Sequence, residues 1–272
     1  LIIGLHQIIR PTSSTRQTEV SNSSTEISSS SSQQNNQELI WEKQSTPIQL
    51  PILTYHGVHI PSEGEDVAAD QVVTPTAFEE QLQSLQKEGY YTLTPEEAYK
   101  ALSENSLPKD QKVVWLTFDG GLSDIQQTVY PLLQKYQMVA TSMLPTYYIE
   151  NQQAGYLNAK DLTNMQSIIS FQSQTVYYSN LAQVDEATQQ QELKDSSTYI
   201  SSLFGKAPTV IAYPLGGYTD TTKELASQAG YKLGLTTEEG MARPEDGLLS
   251  LKRITVSSSD TGSSLLAKLQ AK

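Results

Sequence analysis

From Ile48 onward the chain alternates short apolar runs with stretches of helical periodicity, and few architectures accept that pattern. VVWLTF (113–118) is a continuous apolar run, as a strand buried on both faces requires. PILTYH (51–56), MVATSML (138–144), SIISF (167–171), TVIAY (209–213), YKLGLTT (231–237) and LLSLKRITV (248–256) read as further strands. Between them, Phe78, Leu82 and Leu85 fall at i, i+4 and i+7 on one helical face. Thr74 caps that helix, Pro75 takes its first position and Gly89 ends it. Thr94-Pro95-Glu96-Glu97 is a capping box that opens a second helix. Other helices are expected near 124–136, 185–204 and 220–229. The pattern predicts an α/β fold, a distorted (β/α) barrel with about seven parallel strands. Chemistry in such a barrel sits in the loops after the C-terminal ends of strands, so His56, Asp119, residues 171–178 and residues 213–218 should surround one mouth.

The remainder of the chain has a different composition. The stretch PTSSTRQTEVSNSSTEISSSSSQQNNQ (11–37) is mostly Ser, Thr, Gln and Asn, with no periodic apolar face to bury, and residues 11–47 read as a disordered tether. Residues 1–10, LIIGLHQIIR, read either as a residual membrane-anchor or signal segment or as a frayed terminus carrying a few Ile and Leu; ten residues cannot span a bilayer, which takes about 20. The polar tether explains why only 37% of the chain is apolar, and it leaves 48–272 as one barrel domain. An anchor followed by a spacer would place that domain outside the cell, at the cell surface, tethered to the membrane or released from it. The net charge is −12; residues 1–47 hold three basic and four acidic side chains, which leaves −11 on the domain itself. A surface so acidic argues against capture of nucleic acid through phosphate neutralisation. With no cysteine, the chain has neither disulfides, thiol catalysis nor Cys-ligated zinc.

WLTFDGGLSD, FQSQTVYYSNL, IAYPLGGYTD and LASQAGYKLGLTT, with YHGV near the start and LKRITV near the end, resemble the polysaccharide deacetylase (NodB-homology) family, carbohydrate esterase family 4. The likeness runs in collinear order over about 50–257 and is closest to the branch that deacetylates poly-N-acetylglucosamine. It implies metal-assisted hydrolysis of an acetamide on a sugar. The first Asp of the family's TFDDG motif is the general base. The second Asp, with two His of an SHTxxxH-like motif, holds a divalent metal, commonly zinc, which lowers the pKa of water from about 15.7 towards about 7. In this branch the His of a Tyr-His pair on the first strand is the acid that protonates the leaving amine. By resemblance Asp119 matches the base and His56 the acid.

The three metal positions do not match the family pattern, being occupied by Gly120, Gln174 and Tyr178. Glycine has no side chain, Gln offers a weak neutral oxygen, and Tyr ligates well only as phenolate, with an ordinary pKa of about 10. No metal is therefore expected in this chain, although zinc serves the active members. His59 has no second His at ligand spacing. Asp124 either joins Asp119 and His56 as a substitute ligand trio or caps the helix running to Tyr136. Without a metal, Asp119 has the alternative role of a turn-forming carboxylate.

Around the mouth, Tyr177 and Tyr213 can present amphipathic rings to sugar faces, and Leu215 in AYPLGG keeps a backbone N–H for an oxyanion. Two functions follow. One is a degenerate deacetylase that binds glycan, an N-acetylglucosamine polymer or its partly deacetylated form, in wall or exopolysaccharide. The alternative is an active hydrolase that cleaves the acetamide C–N bond with Asp119 and His56 around a non-standard metal site.

Overall fold

The structure is a computed structural model that describes residues 39–64 and 68–271. The expected anchor segment at 1–10, and the tether up to residue 38, lie outside the described residues. Composition places the start of the domain near Pro47, but β1 (Trp41–Lys43) is already paired antiparallel with β6 (Ser106–Pro108). The ordered fold therefore reaches back at least to Trp41, whose ring packs against the core and lies 4.8 Å from the Lys100 ammonium. Asn105, in the left-handed region at φ 49, fixes this segment by donating to the carbonyls of Gln44 and Thr46 and accepting from the Ile48 N–H.

Seven parallel strands close into a barrel: β2 (Ile52–Tyr55), β7 (Lys112–Asp119), β8 (Ala140–Leu144), β9 (Ile169–Ser173), β10 (Val210–Ala212), β11 (Leu233–Glu239) and β12 (Leu251–Thr255). The ring is distorted at one seam. β5 (Tyr90–Thr92) pairs with the first half of β7, from Lys112 to Val114, and β2 takes over the same edge from Trp115 to Phe118. The first strand of the barrel thus meets the last, with β12 on one side of β2 and β7 on the other. A small parallel pair, β3 (Gly57–Val58) with β4 (Val72–Val73), follows β2 at its C-terminal end.

Side-chain alternation sorts the strands' two faces. Ile52, Val113, Trp115, Met143, Val210, Ala212, Leu233, Leu235 and Leu251 join one cluster, with Leu93 and the α2 (Pro95–Glu104) residues Ala98, Ala101 and Leu102. Their neighbours Leu53, Tyr55, Val114, Leu116, Phe118, Ile169, Phe171 and Ile254 point the other way, into a cluster with α1 (Pro75–Lys87), α3 (Tyr130–Tyr136) and α8 (Gly262–Gln270). Period two on strands covered by helices produces this division. The capping expectations hold: Thr74 accepts from the Ala77 N–H, and Thr94 with Glu97 closes a full capping box. α4 (Thr146–Glu150) and α5 (Ala159–Met165) lie between β8 and β9; α6 (Glu186–Phe204) and α7 (Asp220–Gln228) complete the outer layer.

The helix expected near 124–136 opens instead as a π-turn over Ile125–Val129 before α3. Asp124 does not cap it with its side chain. Among the described residues, no helix is long and apolar enough to cross a membrane.

Candidate functional site

The mouth is organised by a charge that lies inside the barrel wall. Ile254 in β12 and Val256 just beyond it face the outer helices, so alternation turns Arg253 inward, where it is 1% exposed. Its Nη1 and Nη2 donate to Asp119 Oδ1 and Oδ2 at 2.8 and 2.7 Å. Two further donors are directed as well, Nε to the Thr236 carbonyl at 2.9 Å and Nη1 also to Thr117 Oγ1 at 3.2 Å. A bidentate guanidinium–carboxylate pair of this kind is among the strongest polar contacts a protein makes. Burial alone would raise the Asp119 carboxyl, but the Arg253 charge and hydrogen bonds, together with His56 and Gln174, hold it below the usual carboxylate range. Asp119 is therefore ionised, at the C-terminal end of β7, and already neutralised from within.

The three positions where the resemblance implies metal ligands do converge on Asp119. Gln174 is 1% exposed; its Oε1 accepts the Gly120 N–H at 2.8 Å, and its amide hydrogen-bonds Asp119. Tyr178 adopts φ 60, and its phenol meets the Leu215 backbone N–H within reach of the Asp119 and Arg253 charges. Burial, more than any of these partners, pushes that phenol above its ordinary pKa, so it stays protonated. Gly120 itself stands at φ 98, where an Asp side chain would be strained.

These groups do not fit a metal ion. Both oxygens of Asp119 face a guanidinium, the Gln174 oxygen is taken by a backbone donor, and the Tyr178 phenol is held protonated. Among the described residues, no group of three His, Asp or Glu side chains is placed to hold one.

His56 follows β2 immediately. The parallel pairing of β2 with β7 runs to Tyr55 and Phe118, so His56 and Asp119 both come next at that end, close enough for each to act on the other's pKa. Burial lowers the His56 pKa, which the Asp119 charge only partly opposes, so the ring is neutral at pH 7. Its Nδ1 is buried and has no hydrogen-bond partner. Asp124 takes neither role expected of it: its Oδ2 accepts the Val58 N–H at 2.6 Å and meets His59 Nδ1 at 2.9 Å. It braces the turn that carries His56.

On the rim, Tyr177 and Leu215 are exposed by 57% and 65%. Tyr213, expected beside them as a sugar-facing ring, is instead buried, stacked on Tyr218 and donating its hydroxyl to the Leu249 carbonyl. As a residue immediately beyond β10 packed against α6 and α7, it supports the rim from beneath. Sequence reasoning passed over Arg253. The signal was present in LKRITV, since a cation in the middle of a buried strand demands a buried counter-charge.

The family model described as polysaccharide deacetylase matches residues 106–234. Over 232 residues the chain is 34% identical to a Bacillus subtilis (strain 168) protein assigned as polysaccharide deacetylase YxkH, covering 85% of this chain and 80% of that one. It is 27% identical over 198 residues to the poly-beta-1,6-N-acetyl-D-glucosamine N-deacetylase of Staphylococcus aureus (strain MSSA476), with 68% of each chain covered. Among solved structures, the Streptococcus pyogenes deacetylase PplD, in complex with acetate, superposes with a TM-score of 0.80 at 42% identity, over 83% of this chain and all of PplD. With a relative this similar over most of both lengths, and with the same motifs gathered at one barrel mouth, the chain belongs to the polysaccharide deacetylase family.

Proposed function

We propose that this domain binds N-acetylglucosamine-containing wall or exopolysaccharide at the deacetylase mouth without hydrolysing it. One observation carries the reading: Asp119, at the position of the family base, is locked by Arg253 through both oxygens. A general base needs a proton affinity near the working pH, and a carboxylate held below its ordinary pKa by a bidentate cation lacks it. The donor set leaves nothing to lower the pKa of a water from about 15.7.

A second reading, hydrolysis by Asp119 and His56 around a non-standard metal, is favoured by the adjacency of those two residues across β2 and β7. Metal content and acetate release from N-acetylglucosamine oligomers separate the two. The unmodified chain is expected to hold no stoichiometric metal and to release no acetate. The double variant Gln174→His/Tyr178→His should gain zinc affinity. Adding Gly120→Asp should require the backbone at φ 98 to relax first. Stoichiometric zinc together with turnover in the unmodified chain would overturn the proposal. The polar N-terminal stretch and its apolar lead support a location outside the cell, at the surface.

A further inference from the structure

Five large apolar or aromatic side chains are exposed among the described residues, and three of them, Tyr147, Tyr177 and Leu215, follow β8, β9 and β10 at the mouth end of the barrel. Two of the three form a unit. The rings of Tyr147 and Tyr177 lie 4.8 Å apart at an angle of 41°, exposed by 37% and 57%. Behind them Tyr148 meets Tyr147 edge-on at 5.6 Å and stacks on Tyr156 at 4.6 Å. Four tyrosines thus make one continuous aromatic surface beside the mouth.

This surface is built rigidly. The loops that carry its two outer rings are zipped together by backbone hydrogen bonds, Thr146 N–H to the Thr175 carbonyl and Tyr147 N–H to the Val176 carbonyl, both at 3.0 Å. Glu192, on α6 and only 4% exposed, accepts the N–H groups of Val176 and Tyr177 at 2.7 and 3.0 Å and the Ser179 hydroxyl at 3.0 Å. Thr175 stands at φ 66 and Tyr178 at φ 60, conformations that a β-branched and an aromatic residue adopt only when their surroundings hold them there. A buried carboxylate and two left-handed residues hold Tyr177 at the surface.

We infer that Tyr147 and Tyr177 form a sugar-binding platform that takes the apolar face of an N-acetylglucosamine chain lying across the mouth. The inference rests on the glycan-binding reading above. Tyrosine rings offer a flat apolar area with a hydroxyl at its edge and lose little entropy on binding, which suits the mixed face of a pyranose. The platform continues directly into the mouth, because Tyr177 precedes the Tyr178 that meets Leu215. The two exposed rings can hold the polymer by its faces without an acetamide inserted beside Asp119.

The test is calorimetric titration of the 272-residue chain with β-1,6-linked and β-1,4-linked N-acetylglucosamine oligomers. Truncating one exposed ring at a time, Tyr147→Ala or Tyr177→Ala, should weaken binding about tenfold. Tyr177→Phe should keep most of the affinity. Thermal unfolding checks that the alanine variants are folded, as substitutions of exposed rings should be. If the unmodified chain binds and both alanine variants bind equally well, the platform is wrong while the glycan-binding reading stands. If the unmodified chain binds neither oligomer, that reading falls and the platform with it.

Discussion

Arg253 and Asp119 put a charge pair inside a barrel wall, with the two side chains 1% and 5% exposed. Such a pair gains little net stability over a well-packed apolar substitute, but removing one partner strands the other without solvent or counter-ion. Arg253→Met is therefore expected to cost about 3–5 kcal/mol in urea unfolding. The double variant Asp119→Asn/Arg253→Met should recover most of that loss, and a double variant no better than the single one would contradict the pairing. His56 gives a pH signature. Its folded-state pKa is lowered, chiefly by burial, so folding favours the neutral ring. Its contribution is whole above the unfolded value of about 6.5 and is lost as the pH falls below it. Stability should therefore decline as the pH falls below about 6.5 in the unmodified chain, and His56→Gln should flatten that slope. At this scale the sequence was legible where chemistry sits at a strand end: Asp119, His56 and the altered ligand positions are all at the mouth. Arg253 was not, because its partner lies 134 residues away and a lone cation in a strand does not announce which carboxylate it meets.

α6 places Glu192 under the loop after β9, where one carboxylate satisfies two backbone donors and a hydroxyl. Glu192→Ala should destabilise the protein by about 2–3 kcal/mol, since buried donors to a charged acceptor are left unmet. Amide hydrogen exchange at Val176 and Tyr177 should quicken more than at the β9 residues Phe171 and Gln172. Uniform quickening across the barrel would mean that the clamp is no local device. Most elements were legible because their signals are local: caps at Thr74 and Thr94, apolar runs in the strands, a helix over 186–204. The failures have tertiary causes. The turn at 125–129 winds as a π-helix where Asp124 is drawn away to Val58 and His59 instead of capping. Tyr213 reads as a rim residue by its position after β10, yet its hydroxyl finds the Leu249 carbonyl and its ring goes inward.

For the whole molecule, the alternation of apolar runs sufficed to predict the barrel but not its first residue. β1 at Trp41–Lys43 sits in polar composition and is ordered by its pairing with β6. The net charge of −12, of which −11 lies on residues 48–272, acts over the entire surface. If the mouth holds glucosamine polymer, partly deacetylated chains should bind more tightly than fully acetylated ones at low salt. That preference should shrink once the ionic strength approaches about 0.15 M, where the screening length falls to roughly 8 Å. Equal affinity at every degree of acetylation and salt concentration would count against an electrostatic contribution.

β12 lies between β11 and β2, and so closes the ring with the strand that also delivers Arg253. Ring closure and neutralisation of Asp119 are accordingly one event in the life of the chain. During synthesis β2 and β7 are complete long before residue 253 emerges, and through that interval the interior carboxylate has no internal cation. A nascent chain stopped short of β12 would retain much of its hydrophobic lining, but its ends would stay apart and its central acid would keep drawing in water. A chain lacking β12 would lack both the strand that closes the ring and the cation that neutralises Asp119.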